Sequence, residues 1–163
     1  MISDRNAITR RSSRFGFTII ELIVVIAIIS TLAVVAIPMV ETSVKREKEI
    51  LLRRSLREIR IAIDDHHDFI IKNKIKYDEE TYGYPEDLNI LVKGIEYRDS
   101  KNKARIKKFL RKIPIDPMVG TSEWGIRSYQ DKKKSTHWGG ENVWDVYSKS
   151  EKKGLNGTYY KDW

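Results

Sequence analysis

Cysteine is absent from the 163 residues, and only four prolines and nine glycines punctuate them. Without cysteine there is no disulfide, no thiolate metal site, no haem attachment and no thiol nucleophile. A domain built from this chain outside the cytoplasm must stand on packing, sheet pairing or a bound ion. No glycine-rich phosphate loop is present. His66, His67 and His137 accompany no nucleophile in a recognisable motif, and Asp116, Glu123, Asp145 and Glu151 form no catalytic set. The residues give no reason to read an enzyme.

Acidic charge is also in short supply. Lysine and arginine number 31 against 23 aspartate and glutamate, a formal net charge of +8. Such a balance raises nucleic acid as a partner. The most basic stretch, 101–112, holds seven lysines and arginines and no acid, and reads as the solvated face of a helix with Ile106, Phe109 and Leu110 pointing inward. Phe109 is its one aromatic, too few to stack bases. Nucleic-acid binding is therefore not expected.

What the chain has in abundance is one apolar run. From Phe17 to Val40 a single charge occurs, Glu21. As a helix the run would reach roughly 36 Å, against a hydrocarbon core of about 30 Å. It is long enough to span a membrane. An unpaired carboxylate inside such a segment costs on the order of 2.5–3.5 kcal/mol at the centre and less near an end, so Glu21 requires a cationic partner. Upstream lie Arg5, Arg10, Arg11 and Arg14 against Asp4. Basic residues before a span hold that end in the cytoplasm, which predicts an N-inside, C-outside orientation.

A secretory signal is cut after its apolar region, and Ser30, Ala33 and Ala36 mimic such a site only loosely. The sharper junction lies before the run, where the polar leader gives way at Gly16. Gly16, Phe17, Thr18, Ile19, Ile20 and Glu21 together resemble the processing site of the type IV pilin superfamily, which includes the pseudopilins of type II secretion. The resemblance implies cleavage after Gly16 by a membrane aspartyl peptidase and methylation of the new N-terminal Phe17. It also implies retention of Glu21 in the stem as an assembly residue that meets the amino group of Phe17, its own or a neighbour's. Pro38 matches a proline often found in these stems, where it bends or locally melts the helix.

Beyond Val40 no glycine or proline interrupts a helical pattern up to about Lys72. Leu52, Leu56, Ile59, Ile63 and Ile70 form a stripe at spacings of three, four and seven. Glu41 with Lys45, Glu49 with Arg53 and Arg54 with Glu58 fall four apart on what read as exposed faces. Asp64, His67 and Asp68 share a helix face, but ligands from one helix need a second element to complete a metal site, so no metal is expected there. Residues 73–117 read as a connecting region with short helices, one beginning near Pro85. Residues 118–163 read as an antiparallel sheet and a tail, with strands over 124–130 and 141–148, a third near 136–138, and a tail fixed by packing of Leu155, Tyr159, Tyr160 and Trp163.

The order Tyr84 and Pro85, then 110–117, then Trp124, then 145–148 and the closing 154–163 is similar to the major pseudopilin of type II secretion. That similarity implies an α+β, pilin-like fold: a leader 1–16 that is removed, a membrane and assembly helix 17–40, its amphipathic continuation 41–72, and a small antiparallel sheet packed on it. It implies a filament subunit in the inner membrane with its C-terminal domain outside the cytoplasm. Its partners would be the prepilin peptidase and methyltransferase, copies of itself, other pseudopilins and an inner-membrane assembly platform. Two other readings stay open, a type IV pilus subunit for adhesion, motility or DNA uptake, and a membrane-anchored binding module. Many major pseudopilins also bind calcium after the last strand. In the matching stretch 148–154 only Glu151 offers a carboxylate among lysines, so no cofactor is expected, with calcium through Glu151 the one ion left open.

Overall fold

The structure is a computed structural model and describes residues 16–163. Residues 1–15 of the leader, its arginines among them, lie outside the described residues. The fold is α+β, with a long N-terminal helix followed by short strands and single helical turns. The chain divides into two compact units, 1–42 and 43–163.

In the first unit the helix α1 (Ile19–Lys72) begins. Thr18 caps it: its Oγ1 accepts the Glu21 backbone N–H at 3.2 Å and its carbonyl accepts that of Leu22. Glu21 thus occupies the third helical position, where a carboxylate also favours the positive end of the helix dipole. The large apolar side chains from Ile19 to Ile29 are exposed within the chain. Pro38 sits inside α1, and Thr42 Oγ1 donates to the Pro38 carbonyl at 2.9 Å.

In the second unit α1 presents the predicted stripe. Leu52, Leu56, Ile59, Ala62, Ile63 and Ile70 are buried. The helix ends at a glycine-free left-handed cap: Lys74 takes φ 51°, its N–H reaches the Ile71 carbonyl, and the Ile75 N–H reaches Ile70. A 3-10 turn over Glu79–Thr81 and a short helix α2 (Leu88–Lys93) follow, the latter starting three residues beyond the expected Pro85.

Among the described residues two two-stranded antiparallel sheets form, one of them in the region 118–163 where a sheet was expected and one before it. Strands β1 (Ile95–Arg98) and β2 (Ala104–Lys107) form an antiparallel hairpin with Ile95 opposite Lys107 and Arg98 opposite Ala104. The basic stretch 101–112 is therefore strand and loop where a helix face was predicted. The reason lies just upstream: Asp99 Oδ1 accepts the N–H groups of Lys101 and Lys103, both at 2.9 Å, and closes a turn that folds the chain back. These bonds hold the Asp99 carboxyl below the usual carboxylate range, the Lys103 N–H contributing most. Ile106 is 60% exposed, against the expectation that it points inward, whereas Leu110 is buried.

Strands β3 (Gly125–Arg127) and β4 (Asp145–Tyr147) pair antiparallel, Gly125 opposite Tyr147 and Arg127 opposite Asp145. They are shorter than the predicted 124–130 and 141–148. No strand forms at 136–138; Ser135 and His137 make a local turn bond there instead. Gly125 is required by packing, because a Cβ would fall within the ring of Tyr147. Leu52, Leu56, Ile59, Ala62 and Ile63 of α1, Leu88 and Leu91 of α2, and Leu110, Trp124, Val143, Val146 and Tyr160 make one apolar core. The Trp124 indole N–H donates to the Pro114 carbonyl at 2.9 Å, satisfying its buried polar end.

Candidate functional site: a processing junction and a clasped tail

Gly16 has no neighbour a Cβ would meet within 4 Å, and Phe17 is 82% exposed. Thr18, the helix cap, follows Phe17 directly. Glu21 is exposed one turn into α1. The Thr18, Ile19, Ile20, Glu21 spacing is that of a capping box, a signal the sequence carried and that reading for a membrane span passes over. Downstream, Ser30 and Thr31 turn their hydroxyls back to the carbonyls of Ile26 and Ile28 at 2.8 Å, which hides their polarity inside the apolar helix. This helix is long and apolar enough to cross a membrane.

The second unit carries the other charged constellations. Glu49, expected on an exposed face with Arg53, is instead 9% exposed. Its Oε1 accepts the Leu155 N–H at 2.7 Å and the Tyr160 hydroxyl at 3.0 Å. Burial, with the bond to Glu49 adding, pushes the Tyr160 phenol up to about 12, so it remains a donor. Arg53 lies over the Trp163 indole at 4.1 Å. The stripe carried part of this signal, since Glu49, three positions before Leu52 and seven before Leu56, falls on the buried face; its partners, more than 100 residues away, could not be read from it.

Asp145 joins two guanidiniums. Arg60 Nε donates to its Oδ1 at 2.7 Å and Arg127 Nη1 to its Oδ2 at 3.2 Å. Arg60 Nη2 also donates to the carbonyls of Val146 and Trp163, and Arg127 Nη2 to that of Lys161. Asp116, fully buried, accepts the Met118 N–H on Oδ1 and the Ser148 hydroxyl on Oδ2 at 2.6 Å. Glu123 pairs with Lys149 at 3.6 Å. Of the carboxylates considered as acids, Asp116 and Asp145 are thus tied into the fold, whereas Glu123, in its surface pair, and Glu151 are exposed.

Of Asp64, His67 and Asp68, only His67 and Asp68 meet, His67 Nδ1 standing 3.9 Å from Asp68 Oδ1. The His67 ring stacks on Tyr84 at 4.4 Å, and Asp68 pairs with Lys72 at 3.0 Å, which lowers its carboxyl below the usual range. Asp64 is raised, by burial first and then by Asp65 and Asp68. Among the described residues no group of three or more histidines and carboxylates stands at metal-binding spacing. The neighbouring His66, which sequence reasoning passed over, is 5% exposed, with its Nδ1 unpartnered and its ring 5.2 Å from Phe109. Burial pulls it down to about 4. The tail is held by Tyr160 and Trp163, whereas Leu155 and Tyr159, expected to pack, are 44% and 40% exposed.

Comparison with known proteins bears on the same two regions. A family profile described as "Prokaryotic N-terminal methylation motif" matches residues 11–37. Over 142 residues the chain is 26% identical to "Type II secretion system core protein G" of Pseudomonas aeruginosa, spanning 85% of this chain and 84% of that protein. No solved structure matches.

Proposed function

We propose that this type IV pilin-like protein is a pseudopilin of a type II secretion system, a structural subunit that assembles into a filament through its N-terminal helix. The observation that carries the reading is the junction at Gly16 and Phe17, followed by a capped, exposed apolar helix, inside the match to the methylation motif. The similarity to core protein G along most of both chains supports the secretion branch.

Each residue then has a role. Prepilin peptidase cuts after Gly16, and Phe17 becomes the methylated N-terminus. Its amino group is a cation at the positive end of a helix dipole, an unfavourable place for it. Glu21, one turn on, supplies the compensating charge, and removing the cation or the carboxylate leaves the other unpaired in an apolar setting. The leader arginines hold the N-terminus in the cytoplasm and direct 43–163 outward. In the filament the exposed apolar side chains of α1 exchange lipid for neighbouring stems. Ala27, Ser30, Ala33 and Ala36 allow close approach, and a head-to-tail contact that does not close extends without limit. The protein has no catalytic role, and its partners are the peptidase, other pseudopilins and the assembly platform.

Intact-mass and N-terminal analysis of membrane-purified protein, made with and without prepilin peptidase, tests this. A chain beginning at methylated Phe17 only when the peptidase is present is the expected result. Persistence of residues 1–16, or cleavage near Ala33 to Ala36, would reject it.

A further inference from the structure

We infer that the tail, 148–163, is locked onto the second unit by the protein's own charged and polar groups and takes no calcium, so that the stability of 43–163 is independent of divalent cations. Calcium requires six to eight oxygens at 2.3–2.6 Å, several of them carboxylate. The donor set around this tail does not fit that demand.

The carboxylates near the tail already have partners. Glu49 Oε1 takes the Leu155 N–H and the Tyr160 hydroxyl, Asp116 takes Met118 and Ser148, and Asp145 is shared by Arg60 and Arg127. Asp162 pairs with Lys134 at 3.6 Å. Only Glu151 is left, exposed and single. The hydroxyls of the loop are engaged as well, with the Ser150 N–H on Ser148 Oγ and the Lys152 N–H on Ser150 Oγ.

Cations stand where an ion would have to approach. Lys149, Lys152, Lys153 and Lys161 crowd the stretch. Two of them do structural work of their own: Lys153 Nζ lies 4.8 Å and Lys161 Nζ 5.3 Å from the centre of the Tyr159 ring. The loop they flank is closed by backbone bonds, through the Lys153 to Tyr159 bridge, the Gly154 N–H on the Thr158 carbonyl and the Tyr160 N–H on the Lys152 carbonyl, and by the Asn156 side chain, whose Oδ1 accepts the Thr158 N–H and hydroxyl. Buried Glu49 is the residue on which this closure rests, because it alone reaches both Leu155 and Tyr160 from α1.

Thermal unfolding of the full chain in detergent, followed by circular dichroism with excess calcium and with a chelator, tests the inference. The two curves should superimpose; a midpoint about 4 °C or more higher in calcium would overturn it. Glu49→Ala should melt about 4 °C or more below the wild type, by the same amount in both conditions, and should be cut by trypsin at Lys152 or Lys153. A wild-type midpoint for that variant would also overturn it. Should Glu49→Ala fail to fold, Tyr160→Phe removes one donor and is read the same way. None of these measurements involves processing or filaments, so their failure leaves the pseudopilin reading standing, and the reverse holds.

Discussion

The two parts of α1 differ in what surrounds them. Before residue 43 its large apolar side chains are exposed, Ile19 at 81% and Ile29 at 59%, while after it Leu52, Ile59 and Ile63 have no exposure at all. Both parts are helical and both are rich in isoleucine. The first leaves its partner to a membrane or a neighbouring subunit. The second finds its partner within the chain, and that partner includes buried polar groups as well as a core. The two parts differ in composition as well: the apolar run of the first, up to Val40, carries the single charge Glu21, while the second sets an apolar stripe among many charged residues, so only the second has a polar side to leave in water once its stripe is covered.

The sharpest break in this comparison should come from charging the uncovered part. Val25→Arg with Ile29→Arg places two cations in the apolar run, each costing about 2.5–3.5 kcal/mol in a membrane. Carbonate extraction should show loss of integration, while the unfolding midpoint of 43–163 stays where it was. A loss of stability there instead would mean that the exposed surface already contributes to the fold. The converse substitution, Ile63→Ala, should leave membrane integration intact and cost the covered part about 2–5 kcal/mol, read by denaturant titration in detergent.

A smaller effect distinguishes the covered part by pH. His66 is held near 4, below its ordinary 6.5, chiefly by burial. Its neutral form is the one the fold accommodates, so its contribution is fully present above 6.5 and is lost as pH falls from 6.5 through about 4. The unfolded chain binds the proton more readily across that window, and stability should rise with pH there by on the order of 1–3 kcal/mol. His66→Phe should flatten the slope in denaturant titrations across the window. An unchanged slope would place the effect on other groups.

The methylation motif was legible in the sequence because its elements are local. Gly16, Phe17 and Glu21 lie within six residues, and the run to Val40 is set by composition. Helical periodicity from Leu52 to Ile70 likewise named the buried face, since 3.6 residues per turn fixes which side chains share it. The hairpin over 95–107 was misread because basic residues carry no period, and its turn is decided by one carboxylate, Asp99, closing onto two N–H groups.

Glu49 shows the limit most plainly. Four residues from Arg53 on a charged helix, it has the pattern of a solvent pair, although its spacing from Leu52 and Leu56 sets it on the stripe face, unlike Glu58. Only when the tail returns does Glu49 meet Leu155 and Tyr160, and only when β4 forms does Asp145 fall between Arg60 and Arg127. By itself the sequence determined the apolar span, the methylation motif at its start and the stripe that follows, because each is set by residue types at fixed short spacing. Tertiary structure decided which charges were buried and what holds the tail, because those contacts join residues up to 111 apart and each is stable only once the other side of the fold has closed over it.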